Sequence, residues 1–487
     1  MNELEKANEY IKSNHVPADE LPLFHVAPPT GWMNDPNGFS AYKGKIHLFY
    51  QHHPYSEVWG PMHWGHYVSE DLVKWEELPV AMAPDSPFDE DGCFSGSAIE
   101  APMGHVLAYT GVAGGLQNQC IAVGDGHSYM KFPDNPMVTG EMLPEGFSRK
   151  DFRDPKIWKE PDGYYMVAGN RTDAGNPQAV LFHSEDLRIW EYVSVLAKDE
   201  SGRYGSMWEC PDFFCLDGHY VLMASPQDMQ ADEEFHNGNN SVYFTGEYDR
   251  EKHKFNYTHV YSLDDGIDFY APQTMEMPDG RRILIGWMQS WDSNIRPAGQ
   301  KWSCMMTIPR ELGIKNGRII QNPVRELKKY RREQVRYDSV AISGKCELPG
   351  INGRILDMTV EICGGDYGEF RILFAQNEKY RTSLVYNRKK NELELDRTFC
   401  KMTHDTTAIR RVKVKDSETV RKIRMILDKY SAEIFINDGK QVLSTTYYTP
   451  MFHFHRVISG TVYLTASDNP FSFASRSAFS RSYLRRI

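Results

Sequence analysis

Short runs of alternating or continuous apolar residues recur through roughly the first 320 residues, each closed by Gly, Asp, Asn or Pro. Helical periodicity is nearly absent there, and this pattern is typical of β-strands joined by tight turns. From about residue 340, runs such as FRILFAQ and SAEIFINDG again alternate apolar and polar residues. Between the two regions, VRELKKYRREQVRY has the charge pattern of a connecting helix. The pattern therefore predicts an all-β chain in two parts.

The first part contains a repeat of about sixty residues. Five anchor positions lie 55 to 62 residues apart, and each is followed nine residues later by a glycine and a strand-like run. The anchors and their glycines are Asp35 and Gly44, Ser95 and Gly104, Asp154 and Gly163, Glu209 and Gly218, and Ala271 and Gly280. Several strands per repeat are typical of propeller blades. We expect a five-bladed β-propeller, with a sandwich whose spacing arises by chance as the alternative.

These patterns divide the chain into four segments. Residues 1–22 are expected to form an N-terminal arm or short helix, and residues 23–322 the propeller. Residues 323–339 are expected to form the linker helix. Residues 340–487 are expected to form a β-sandwich, because their strands alternate at period two without the blade register.

Three of the five anchors are carboxylates, and a propeller would bring Asp35, Asp154 and Glu209 together around one axis. Gathering like charges costs stability, so such a cluster indicates function. Cleavage of a glycosidic bond needs one protonated acid and one carboxylate acting as nucleophile or base. Asp35, held in a turn by its neighbours, suits the nucleophile.

Neighbouring residues suggest roles for the other two carboxylates. Trp208 offers Glu209 an apolar neighbour that would raise its affinity for a proton, as acid catalysis requires. Arg153 is expected to keep Asp154 ionised, so that it can accept hydrogen bonds from sugar hydroxyls. Taken singly, the NDP, RDP and WEC motifs are weak signals, because Asp before Pro is commonly a turn former.

Polar and aromatic residues near the anchors are candidates for binding a sugar. Trp and Phe rings provide the flat apolar walls against which sugar faces stack. The candidates are Trp32, Asn34, Gln51, Trp59, Phe94, Ser95, Arg153 and Trp291.

Composition and charge narrow the function further. Aromatic residues make up 13% of the 487 residues, which favours β structure and is compatible with sugar-stacking surfaces. The net charge of −11 argues against nucleic acid or an anionic membrane as partner.

The polar N-terminus is unlike a secretory signal, and no run of eighteen apolar residues occurs. Eight scattered cysteines without CxxC pairs predict reduced thiols and a cytoplasmic protein. Whether the chain forms a homo-oligomer is left open.

The sequence gives little support for a metal site or for a catalytic serine nucleophile. The histidines at 52, 53, 63 and 66 do not form an HExxH pattern, and DEDG at 89–92 lacks the later Glu of a calcium loop. No GxSxG motif occurs. We therefore expect neither a metal nor another cofactor.

Six motifs in order give the chain a marked resemblance to glycoside hydrolase family 32, the β-fructofuranosidases that include invertases and sucrose-6-phosphate hydrolases. The motifs are WMNDPNG at 32–38, FYQ at 49–51, FSGS at 94–97, FRDPK at 152–156, WECPD at 208–212 and AEIFINDG at 432–439. The resemblance extends from about residue 24 to the end of the chain. It implies a five-bladed propeller followed by a β-sandwich, and retaining hydrolysis of terminal β-D-fructofuranosides.

The resemblance also implies residue roles. Asp35 corresponds to the nucleophile, Glu209 to the acid and base, and Asp154 to the residue that stabilises the transition state. The residues that correspond to those holding the fructosyl unit are Asn34, Gln51, Trp59, Ser95 and Arg153. Trp291 corresponds to an aromatic wall of the pocket, with Trp287 as the alternative. The two histidines of FYQHHP depart from the family pattern and would alter the rim of the pocket.

The sequence is also compatible with other functions. One is a sugar-binding propeller without catalysis. A second is an inverting pentosidase on a similar propeller, whose carboxylates would stand ~6.5–9.5 Å apart instead of ~5–5.5 Å. A third is fructosyl transfer in place of hydrolysis. Sucrose, sucrose 6-phosphate and short fructo-oligosaccharides all remain candidate substrates.

Overall fold

The computed structural model describes residues 1–364, 367–402 and 407–450 in full, and the backbone of 461–471 and 473–479. Helix α1 (Glu3–Asn14) begins at Asn2, whose side chain accepts a 2.8 Å hydrogen bond from the Glu5 backbone while Glu5 caps Asn2 in return. Ala7 and Ile11 on its buried face pack against Val80 of the first sheet. No helix in these ranges is long and apolar enough to cross a membrane.

Five sheets of four main strands each follow. The first contains β1 (Gly31–Tyr42), β2 (Lys45–His53), β3 (His63–Ser69) and β4 (Glu76–Met82). The second contains β5 (Gly92–Ala101), β6 (Gly104–Ala113), β7 (Leu116–Gly124) and β8 (Tyr129–Lys131). The third contains β9 (Phe147–Glu160), β10 (Gly163–Thr172), β11 (Pro177–Ser184) and β12 (Glu191–Lys198). A short 3-10 helix, Gly140–Met142, lies between the second and third sheets.

The fourth sheet contains β13 (Met207–Leu216), β14 (His219–Gln227), β15 (Val242–Asp249) and β16 (Lys254–Ser262). The fifth contains β17 (Tyr270–Glu276), β18 (Arg282–Met288), β21 (Arg310–Lys315) and β22 (Arg318–Pro323). Two short strands, β19 (Trp302–Ser303) and β20 (Met305–Met306), lie between β18 and β21. β19 pairs in parallel with β1, while β20 pairs with β18, so this segment joins the last sheet to the first.

The first strands of the five sheets form a ring. Each packs against the first strand of the next sheet, and β17 returns to β1. The repeat glycines lie where the first strand of each sheet turns into the second, either in the turn or as the first residue of the second strand, and the backbone there has positive φ. These φ values are +76° at Gly44, +131° at Gly104, +141° at Gly163, +82° at Gly218 and +82° at Gly280. The predicted five-bladed propeller is confirmed, and this backbone requirement explains its fixed glycine.

Two six-stranded sheets form the C-terminal sandwich. One has the order β23 (Arg331–Tyr337), β34 (Phe473–Phe479), β25 (Leu356–Ile362), β30 (Lys422–Leu427), β31 (Ser431–Ile436) and β32 (Gln441–Thr446). The other has the order β24 (Ile342–Asn352), β33 (Thr461–Phe471), β26 (Glu369–Phe374), β27 (Thr382–Asn387), β28 (Glu392–Asp396) and β29 (Ile409–Lys413). A 3-10 turn, Lys415–Ser417, precedes β30. Side chains such as Phe370, Ile372, Met425 and Ile434 form the core between the two sheets.

The predicted linker helix over 323–339 is wrong. Arg325–Tyr330 is a short 3-10 helix, and β23 follows it directly. Val324, Leu327 and Tyr330 recur every three residues and pack into the propeller core, which fits the 3-10 period. The residues after them pair with β34, about 140 positions further along the chain.

Buried charges join the sandwich to the propeller. Arg310 of the fifth sheet donates to Glu433 of the sandwich through Nε at 2.8 Å, and to Asp264 through Nη1 at 3.0 Å. His25 lies between Asp428, at 2.8 Å from Nδ1, and Glu433, at 3.0 Å from Nε2. All five side chains are shielded from solvent. Such fully partnered charges fix the orientation of the two domains.

Candidate active site

A β-bulge interrupts the first strand of every sheet at its anchor residue or directly after it. The register shifts lie between Met33 and Pro36, Phe94 and Gly96, Arg153 and Lys156, Glu209 and Asp212, and Tyr270 and Gln273. A bulge bends the strand and redirects a side chain. Because the five strands form a ring, the bulges bring Asp35, Asp154 and Glu209 to a common site.

Cys210 connects two of the carboxylates. Its sulfur lies 3.6 Å from Oδ2 of Asp35 and 3.7 Å from Oδ2 of Asp154. Its backbone nitrogen donates to the same Asp154 oxygen at 2.9 Å. Both Asp154 and Cys210 have positive φ, a strained conformation that the bulges impose. Residues from the first, third and fourth sheets therefore meet within hydrogen-bonding distance.

Asp35 is held through both of its carboxylate oxygens. Asn34 donates to Oδ1 at 3.0 Å, and Ser95 donates to Oδ2 at 2.6 Å. Trp32 in turn holds Asn34, through a 2.8 Å bond from its indole nitrogen. Burial, together with the negative charge of Glu209, raises the pKa of Asp35 to about 6, although these donors oppose the rise.

Glu209 is likewise held at both oxygens. Arg153 donates from Nε to Oε1 at 3.0 Å, and the Tyr270 hydroxyl donates to Oε2 at 2.8 Å. The side chain of Arg153 is further fixed by Gln117 at 3.3 Å and by Gln227 at 3.2 Å. The site thus contains a carboxyl group with a single well-defined orientation.

Two local expectations are wrong. The sequence predicts Trp208 beside Glu209, but the Trp208 ring is buried in the apolar core shared by the third and fourth sheets, and its indole nitrogen donates to the Tyr204 carbonyl. The sequence also predicts that Arg153 keeps Asp154 ionised, but the Arg153 guanidinium bonds Glu209 instead. Burial and the charge of Glu209 raise the pKa of Asp154 and outweigh the opposing effect of Arg153.

The aromatic candidates form a partly exposed wall over a buried layer. Trp59 and Trp291 are 48% and 38% exposed, whereas Trp32 and Trp287 are buried. Trp291 stacks on Trp32 with ring centres 6.3 Å apart. Of the two tryptophans considered for the wall, Trp291 is therefore the accessible one.

The remaining two candidates adjoin the second sheet. Phe94 meets Trp59 edge to face at 6.0 Å. Gln51 is buried and donates to the Cys93 carbonyl at 2.9 Å, next to Phe94 and Ser95. The contacts described above, together with neighbours in sequence, connect all eleven residues singled out from the sequence into one cluster.

Four contacts of the site were missed from the sequence: Cys210, Tyr270, Gln117 and Gln227. Cys210 lies in the WECPD motif, directly after the anchor Glu209, and Tyr270 directly precedes the fifth anchor. Their positions next to anchor residues could therefore have identified both. Gln117 and Gln227 lie in β7 and β14, outside any motif. Their contacts with Arg153 depend on tertiary structure alone.

The paired histidines have structural contacts. His52 bonds the Thr30 carbonyl at 2.9 Å, and His53 bonds the Val58 carbonyl at 2.9 Å. Burial lowers the pKa of His52 to about 3, despite its bond to Thr30. Among the fully described residues, no three His, Cys, Asp or Glu side chains are grouped as metal ligands.

A five-bladed propeller with three carboxylates at its axis and exposed tryptophans beside them defines a carbohydrate-active enzyme of the glycosidase class. The family model for the glycosyl hydrolases family 32 N-terminal domain matches residues 25–323. The model for the glycosyl hydrolases family 32 C terminal matches residues 326–468. The chain belongs to glycosyl hydrolase family 32.

Individual relatives agree with this assignment. Sucrose-6-phosphate hydrolase of Escherichia coli is 37% identical over 448 residues, covering 88% of this chain and 89% of the relative. The solved GH32 β-fructofuranosidase of Bombyx mori is 31% identical with a TM-score of 0.83, covering 98% of each chain. Sucrose-6-phosphate hydrolase of Lactobacillus gasseri is 27% identical with a TM-score of 0.84, covering 98% of this chain and 96% of that one.

The chain is therefore a glycoside hydrolase of the β-fructofuranosidase type, and it hydrolyses β-fructofuranosides. This conclusion decides against a sugar-binding propeller without catalysis. It also decides against the inverting pentosidase.

Proposed function

We propose that this enzyme prefers sucrose 6-phosphate and releases its terminal fructosyl unit by a retaining double displacement. Sucrose and short fructo-oligosaccharides are then poorer substrates. The observation that carries the mechanism is the meeting of Asp35, Asp154 and Glu209 around Cys210. The names of the relatives from Escherichia coli and Lactobacillus gasseri support the phosphorylated substrate.

In the first step, a carboxylate oxygen of Asp35 attacks the anomeric carbon of the fructosyl unit. Glu209 donates its proton to the glycosidic oxygen, and the bond to the glucosyl leaving group breaks. The bonds from Asn34 and Ser95 aim the attacking carboxylate before substrate arrives. The product of this step is a covalent fructosyl-enzyme.

In the second step, Glu209 accepts a proton from water, and the water oxygen attacks the anomeric carbon. The bond to Asp35 breaks, and fructose leaves with its original configuration. Asp154 accepts hydrogen bonds from fructosyl hydroxyls and, in its ionised form, stabilises the positive charge that develops on the ring. Arg153 and Tyr270 keep Glu209 in reach of the glycosidic oxygen and then of the water.

We further propose that the enzyme works in the cytoplasm. All eight cysteines lie in the described part of the chain and are unpaired, including Cys215 and Cys363, which are exposed. Free exposed thiols are typical of proteins in a reducing compartment. The substrate is then sugar that has already been imported.

Initial rates of purified enzyme on sucrose, sucrose 6-phosphate and a short inulin-type oligosaccharide, at matched concentrations, test this function. We expect the highest kcat/KM for sucrose 6-phosphate. Equal or better rates on the unphosphorylated sugars would overturn the substrate preference. Free fructose and the glucosyl product are measured together, because fructosyl transfer would lower fructose relative to the glucosyl product.

A further inference from the structure

A chain of contacts leads from Glu209 outward along the third sheet. Glu209 bonds Arg153 at 3.0 Å, Arg153 Nη1 donates to Asp151 Oδ1 at 3.3 Å, and Arg171 Nε donates to Asp151 Oδ2 at 2.8 Å. The exposed side-chain fraction is 15% at Glu209 and 9% at Arg153, and it then rises to 24% at Asp151 and 39% at Arg171. Arg171 therefore stands on the solvent side of the carboxyl that meets the leaving group.

Part of the Arg171 guanidinium is available to bind a ligand. Its Nε is used by Asp151, while its two terminal nitrogens have no hydrogen-bond partner among the described residues. Asp151 also receives Arg153, so one carboxylate is shared by two guanidinium groups. Arg149 and Lys150, both exposed, adjoin Asp151 in the same strand.

We propose that Arg171 is the residue that recognises the phosphate of a phosphorylated glucosyl leaving group. This inference rests on the proposed function, in which Glu209 protonates the oxygen of that leaving group. The glucosyl unit leaves from Glu209 toward solvent, and Arg171 is the most exposed residue in the series of contacts that begins at Glu209. The planar guanidinium offers two parallel donors to phosphate oxygens, and Asp151 holds its orientation.

A second arginine near the site is the natural comparison. Arg203 precedes the fourth sheet and is 60% exposed, but it is paired with Asp232 at 3.4 Å and lies over the ring of Tyr204. Among the described residues, no hydrogen bond or ion pair joins its side chain to Glu209, Arg153 or Asp151. Arg203→Gln is therefore the matched control for Arg171→Gln.

The first test compares kcat/KM for sucrose 6-phosphate and for sucrose in the wild type, Arg171→Gln, Arg171→Lys and Arg203→Gln. We expect Arg171→Gln to lower the value for sucrose 6-phosphate by about tenfold or more, mainly through KM, as loss of a charged hydrogen bond would. The value for sucrose should stay within about twofold. Arg171→Lys should retain part of the preference, and Arg203→Gln all of it.

Two outcomes would overturn the inference while leaving the proposed function intact. One is an undiminished preference for sucrose 6-phosphate in Arg171→Gln. The other is an equal fall for both substrates, which would mean that Arg171 only positions Arg153 through Asp151. A wild type that does not prefer sucrose 6-phosphate would instead contradict the proposed function.

Inhibition of sucrose hydrolysis by glucose 6-phosphate gives a readout that does not require the phosphorylated substrate. We expect glucose 6-phosphate to inhibit the wild type more strongly than glucose does, and Arg171→Gln to remove this difference. Equal inhibition by the two sugars in the wild type would overturn the phosphate contact. Added salt should weaken the inhibition, because a partly exposed ion pair is screened.

Discussion

Tyr270 donates a 2.8 Å hydrogen bond from its hydroxyl to Oε2 of Glu209, although the two residues belong to different blades. The same hydroxyl lies 3.1 Å from the Ser225 carbonyl, which fixes its position. Replacing Tyr270 by Phe removes the hydroxyl and keeps the buried ring. We expect kcat on sucrose to fall about tenfold, because one of the two bonds that orient Glu209 is lost.

Steady-state kinetics of Tyr270→Phe should show the loss in kcat, with KM little changed. Tyr243→Phe is the matched control, since Tyr243 is also buried but bonds the backbone of Ile319, in the outermost strand of the fifth blade. A kcat for Tyr270→Phe that equals that of the control would contradict a role in orienting Glu209.

Asp35→Asn tests the nucleophile. Asparagine has nearly the same shape and can still accept the hydrogen bond from Ser95, so the fold should be retained. Fructose release should fall by about 10⁴-fold or more, because the amide cannot form the covalent intermediate. Asp134→Asn, at an exposed position, should retain full activity. If Asp35→Asn keeps more than about one hundredth of the wild-type rate, another residue is the nucleophile.

The pKa of Asp35 predicts the acid side of the activity profile. The nucleophile must be ionised while Glu209 carries the proton that it donates, and burial raises the pKa of Asp35 above that of an ordinary carboxyl group. In the free enzyme, kcat/KM should therefore rise with pH as Asp35 ionises. Ser95 donates to the ionised form and opposes this rise in pKa. Ser95→Ala should accordingly move the acid limb to higher pH, by about half a unit to one unit.

The pH dependence of kcat/KM in wild type, Ser95→Ala and the exposed control Ser128→Ala checks this prediction. An acid limb that stays in place, or moves to lower pH, in Ser95→Ala would argue that Asp35 does not set it.

The propeller could be predicted because its repeat reflects a backbone requirement. The hairpin between the first two strands of each blade needs positive φ, so glycine recurs at one offset, as at Gly44 and Gly218. The charges of residues 323–339 resemble those of a helix, and for this reason the sequence predicts a helix where the structure has a 3-10 turn and a strand. Residues of this stretch pair with β34, which lies about 140 residues further along the chain. A pairing over that distance cannot be recognised from the local sequence.

In the active site as well, the sequence predicts the positions of the anchor residues but not their contacts in the folded protein. The register marks Asp35, Asp154 and Glu209, but it does not show where a neighbouring side chain points. Arg153 adjoins Asp154 in sequence and bonds Glu209 in space. Tyr270 could not be predicted in this way, because Ala271, the anchor residue of the fifth blade, is uncharged and does not indicate a catalytic role for its neighbours.

The contact between the two domains predicts a loss of stability at alkaline pH. Burial opposes protonation of His25, but the hydrogen bonds and charges of Asp428 and Glu433 outweigh it and raise the pKa to about 9. In the unfolded chain the pKa of a histidine is near 6.5. The stabilisation is therefore complete below pH 6.5 and is lost as the pH rises from 6.5 through 9.

At 1.36 kcal/mol per pKa unit, the stabilisation from His25 is about 3 kcal/mol. The Tm of the wild type should fall over this pH range more than the Tm of His25→Gln, and the two should be furthest apart near pH 6. His219→Gln, at an exposed strand position, serves as the control and should follow the wild type. Parallel Tm curves for wild type and His25→Gln between pH 6 and 9 would mean that the His25 proton does not hold the two domains together.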